Sequence, residues 1–123
     1  MLSLILAAII TGEAGICDLE AQLAVAWVWH NRQTAGIVGG WYGYAEPSPS
    51  AIWIAEHYDE FDDPTNGAIF LVSSTDLTHW TPPGVQTWQS SRCANGDRLH
   101  AWRAYNVRAS SSLATQRTPR LPE

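Results

Sequence analysis

The sequence predicts one small, mainly α-helical domain with a short β-hairpin near its C-terminal end, on three observations. An apolar run from Leu2 to Gly12, broken only by Ser3 and Thr11, has the length of a core helix. Asp18, Ser48-Pro49 and Asp63-Pro64 are helix-start signals, each placing a capping oxygen ahead of an apolar stretch. Past Thr75 the helical signal fades, and Asn95-Gly96-Asp97 has hairpin-turn chemistry between two short flanking segments, Val85 to Arg92 and Arg98 to Tyr105.

The first helix is expected from about Leu2 to Ala14, with Gly15 as its stop. Asp18 caps the second helix, where Glu20 in the first turn suits the dipole. Leu23 to Trp29 is apolar on every side, which places this helix centrally, before it ends near Arg32-Gln33-Thr34. Residues Gly36 to Pro49 read as a loop rich in glycine and aromatics. A third helix starts at Pro49 and carries Ile54, Tyr58 and Phe61 as its core stripe. Asp63-Pro64 opens a fourth, running through Phe70 to Val72. The tail from Asn106 to Glu123 is rich in Ser, Thr, Arg and Pro and is expected to be poorly ordered unless a partner holds it.

Composition narrows the function. Hydrophobic residues make up 46% of the chain and charged residues 15%, which argues against disorder. A net charge of −5 argues against a nucleic-acid binder, which would present a basic face. The N-terminal run is too short to span a membrane and has no basic residue before it, so no membrane span and no export signal are expected. Cys17 and Cys93 are read as buried, unreacted thiols, with a single disulfide as the alternative. The acidic stretch Glu56 to Asp63 lacks the spacing of a calcium loop, and the histidines are scattered, so no metal and no cofactor are expected.

Glu13 is the only charged side chain between Met1 and Cys17. A carboxylate closing an apolar helix is disfavoured as the anion by desolvation and by the negative end of the helix dipole. Both effects raise its pKa, and a carboxyl group protonated near neutral pH is what a glycosidase uses as general acid. The bland alternative makes Glu13 the first solvated residue past the buried part of the helix.

The order of Gly12-Glu13-Ala14, Glu20-Ala21-Gln22-Leu23-Ala24-Val25-Ala26 and Asn31-Arg32 resembles the SleB-like cell-wall hydrolases. Asp63-Pro64-Thr65-Asn66-Gly67-Ala68 is similar to a second block of that family, and His100-Ala101-Trp102 with Tyr105 to its closing segment. The chain departs from the pattern at Ile16-Cys17, at Phe70 to Ser73 and at Arg98-Leu99. The resemblance implies a lysozyme-like fold over residues 1–105, followed by the tail at 106–123. It also implies lytic transglycosylase chemistry on the β-1,4 bond after N-acetylmuramic acid, with Glu13 as the single acid and base.

Glu20 and Gln22 match family positions and are candidate substrate contacts, although capping and a structural hydrogen bond are the default readings. Trp41, Tyr42 and Tyr44 on the loop suit stacking on sugar faces. His100 and Trp102, expected on one face of one strand, line the cleft by the same resemblance. Asn31 is expected to make a structural bond and Arg32 to pair with a nearby acid. Peptidoglycan glycan strands are the expected partner, and the tail, with Arg108, Arg117 and Arg120, is a possible docking segment for a larger assembly. Delivery to the wall would then fall to lysis, a phage particle or a separate export segment. Two rivals stand beside this reading. One is a muramidase that uses water and a second carboxylate. The other is a glycan-binding or structural protein that keeps the fold without the chemistry. Catalysis and this last reading are separated by whether Glu13 lines an open cleft beside aromatic side chains, and a Glu13 sealed in the core would make catalysis untenable.

Overall fold

The computed structural model describes residues 2–15, 17–41, 44–73, 77, 79–90, 93–95, 98–100 and 102–106. Three α-helices come first: α1 (Leu2–Ala14), α2 (Leu19–Thr34) and α3 (Pro49–His57), with a 3-10 turn at Tyr58–Glu60. Five strands follow: β1 (Phe70–Ser73), β2 (Val85–Gln89), β3 (Cys93–Asn95), β4 (Arg98–His100) and β5 (Trp102–Asn106). The fold is therefore mixed, and its sheet exceeds the lone hairpin that the sequence predicts. Among the described residues no helix is long and apolar enough to cross a membrane.

α1 buries Leu6, Ile9, Ile10 and Glu13 on one stripe at helical spacing, while Leu4 and Ile5 stay exposed. Gly15 ends it because nothing larger fits: an added Cβ would sit 2.5 Å from the Thr11 carbonyl oxygen. Asp18 caps α2, accepting from the Ala21 N–H at 3.0 Å. From Ala21 to Ala26 every α2 residue is buried, so this helix is central, as its unbroken apolar composition predicts. Ser48 caps α3 through the Ala51 N–H, with Pro49 in the first turn. Thr11 of α1 accepts the Ser48 N–H at 3.1 Å and so fixes where α3 begins.

The expected fourth helix is absent, and the segment is a turn leading into β1. Asp63 accepts from the Thr65 N–H at 2.7 Å and the Gly67 N–H at 2.9 Å, so its side chain closes a loop rather than capping a helix. Asn66 and Gly67 then adopt left-handed backbone, at φ 53° and 82°, which ends any helical run. α3 also stops at His57, leaving Tyr58 in the 3-10 turn and Phe61 beyond it.

The main sheet has the order β1-β5-β2, all antiparallel, with Phe70 opposite Tyr105 and Gln86 also opposite Tyr105. A bulge between Gln86 and Trp88 turns the Trp88 side of β2 inward, where Val72, Trp88 and Ala104 are buried. β3 and β4 form a separate two-stranded hairpin, with Asn95 opposite Arg98. The single strand expected from Arg98 to Tyr105 is thus two strands in two sheets, because its first part pairs with β3 and its second with β1 and β2.

Cys17 is disulfide-bonded, which corrects the expectation of unreacted thiols. The sequence offers it one other cysteine, Cys93 at the start of β3. Spacing alone could not reveal this, because the closure depends on residues far apart in the chain meeting. The tail at 107–123 lies outside the described residues.

Candidate functional site

Glu13 lies in the last turn of α1 and is 7% exposed, which rules out a solvated surface residue. It continues the stripe of Leu6, Ile9 and Ile10, so the helix that builds the core also carries this carboxylate into it. Among the described residues it is the only buried carboxylate. Enclosing such a group costs free energy unless the surroundings compensate, and Glu13 does have an interaction partner there.

The nearby family-like positions hold the scaffold together. Gln22 is buried, donates to the Cys17 carbonyl at 3.1 Å and accepts from the Ser50 hydroxyl at 3.1 Å. Its amide thus ties the α1–α2 turn to α3. Glu20 is exposed and accepts from the Trp88 indole N–H at 3.1 Å, so it links α2 to β2 while Asp18 performs the capping.

Asn31, Arg32 and the Asp63–Ala68 loop meet at a joint between α2 and the sheet. Asn31 donates to Asp63 Oδ2 at 2.9 Å and to the Ala68 carbonyl at 3.0 Å, the structural role expected of it. Asp63 also accepts the Thr65 hydroxyl at 2.6 Å, which brings its hydrogen bonds to four. Thr87 of β2 donates to the Thr65 carbonyl, and Asn106 of β5 donates to that of Asn66. Two of the sequence blocks that carry the family resemblance are therefore brought into contact by the fold.

Among the described residues Arg32 pairs with no acid, contrary to the expectation. It donates to the Ile69 carbonyl at 2.8 Å and the Gly39 carbonyl at 2.9 Å. Its guanidinium carbon lies 5.7 Å from the Trp41 ring centroid and 5.9 Å from that of Phe70. Burial lowers its pKa from the ordinary value, yet a guanidinium stays protonated. Gly40 makes this approach possible: its φ is +85°, and a Cβ there would sit 2.8 Å from Arg32 Nη2.

Val28, Arg32, Gly40, Trp41, Phe70 and Trp80, among others, line a groove of about 290 Å³. A second groove, of about 390 Å³, is lined by Asn31, Thr34, Gly67 and Asn106 with apolar neighbours. Glu13 lines neither. Trp41 lines the first groove with Arg32 beside its ring, and Tyr44 is exposed. Tyr42 lies outside the described residues, as do the side chains of His100 and Trp102. His100 ends β4 and Trp102 begins β5, so the two do not share one strand. Sequence reading missed Arg32, Phe70 and Trp80 as groove residues. The signal was an arginine at a helix end beside a Gly-Gly-Trp loop, and it acquires meaning only when β1 closes the other side.

No protein family, no curated protein and no solved structure matches the chain.

Proposed function

We propose that this protein cleaves the glycan strand of peptidoglycan, with Glu13 as general acid and then general base, in a SleB-like, lysozyme-like scaffold. The observation that carries the reading is the burial of Glu13 on the core-facing stripe at the end of α1. Glu13 hands its proton to the glycosidic oxygen as the bond from C1 of N-acetylmuramic acid breaks. The resulting carboxylate then takes the proton of the C6 hydroxyl, and O6 closes on C1 to give a 1,6-anhydro end. One carboxyl group serves both steps and is returned protonated. The two acids that follow Glu13 in sequence are both engaged, Asp18 as the cap of α2 and Glu20 with Trp88, which favours this single-carboxylate route over a water-using muramidase.

A second reading is glycan binding without cleavage. It is favoured by the position of Glu13 outside both described grooves. Turbidity clearance of purified sacculi by wild type, Glu13→Gln and Glu20→Gln separates the readings. Cleavage by Glu13 predicts clearance by wild type and Glu20→Gln and none by Glu13→Gln. Co-sedimentation of all three with intact sacculi, without clearance, would favour binding alone.

A further inference from the structure

We propose that the groove between α2, the 36–41 loop and β1 binds an acidic saccharide, its ring on Trp80 and its carboxylate on Arg32. The proposal shares with the catalytic reading only the class of ligand and does not require Glu13 to act.

The argument for a carboxylate starts from Arg32. Its terminal nitrogens each donate once to a backbone carbonyl, and each keeps a second N–H. Among the described residues no Asp or Glu forms an ion pair with it. The Trp41 and Phe70 rings lie beside the guanidinium and shield it partly from water without neutralising it. An arriving carboxylate supplies the missing anion to a fork that is already oriented.

The argument for a sugar starts from the groove walls. Trp80 is 49% exposed yet braced edge-on against Phe70, with ring centroids 5.9 Å apart, so a flat apolar face is offered in a fixed orientation. Trp41 lines the same groove. A volume of about 290 Å³ lies at the small end of ligand clefts and suits one pyranose unit rather than a long oligosaccharide. Among the described residues lining the groove Arg32 is the one cation, which disfavours a polyphosphate or nucleic-acid ligand, since that would need several.

Two matched pairs test the proposal by tryptophan fluorescence titration: N-acetylmuramic acid against N-acetylglucosamine, and glucuronate against glucose. Within each pair the carboxylate is the main difference. The expected result is roughly tenfold tighter binding of the acidic member, in wild type and in Glu13→Gln alike. Trp80→Ala, an exposed change that leaves Arg32 in place, should weaken both members of each pair. Arg32→Lys keeps the charge but loses the fork, and should remove most of the preference for the acid. Equal affinity within both pairs, or no saturable response to either acid, would overturn the proposal. Failure of Glu13→Gln to lose activity would leave it intact.

Discussion

Two carboxylates in this protein sit in opposite surroundings. Asp63 is half-buried and accepts four hydrogen bonds, from Asn31, Thr65 twice and Gly67, so its environment is built around the anion. Glu13 is more deeply buried, on a stripe it shares with Leu6, Ile9 and Ile10, and it too has an interaction partner. The first arrangement fixes a loop; the second carries a carboxyl group into an aliphatic stripe. Sequence motifs single out both residues equally, and only the surroundings tell them apart.

That contrast can be broken experimentally. The largest stability effect should come from neither acid but from the disulfide that anchors the α1–α2 turn just beyond Glu13. Cys17→Ser is expected to cost about 4 kcal/mol, read from the urea midpoint under non-reducing conditions. Asp63→Ala should follow at about 3 kcal/mol, since it strands the donors of Asn31, Thr65 and Gly67. Glu13→Gln should by contrast cost less than Asp63→Ala, because the amide keeps the shape of the carboxyl group and its capacity to hydrogen-bond. A loss comparable to that of Asp63→Ala would make Glu13 a structural acid too.

Smaller effects sharpen the same picture. Glu20→Ala loses the link to Trp88 and should cost about 1 kcal/mol without abolishing activity. The smallest effect is alkaline. Burial, and then Asp59, raise the Tyr58 pKa from its ordinary value. The unfolded chain therefore releases this proton first, and stability should decline as pH rises above about 10, toward the higher folded pKa. Tyr58→Phe should flatten that decline in a urea series across pH.

The helical half of the molecule was legible in the chain. Asp18 and Ser48 announce their helices by side-chain chemistry that acts within a few residues, and the apolar run of α2 announces a central helix. Glu13 was legible for the same reason, as an isolated charge in apolar surroundings. The Asp63 loop was misread as a helix because the Asp-Pro signature also opens turns. The left-handed pair Asn66-Gly67 decides between them. The sheet, the disulfide and the Arg32 groove depend on contacts between distant residues, such as Ile69 with Arg32 and Trp88 with Glu20. No local pattern encodes those contacts.

The central claim is that Glu13 cuts glycan with no second carboxylate. Mass spectrometry of peptidoglycan digested by wild type and by Glu13→Gln tests it most directly. The account predicts 1,6-anhydro muropeptides, each lighter by one water than a hydrolysis product, from wild type alone. Reducing ends from wild type, or anhydro ends from Glu13→Gln, would contradict it.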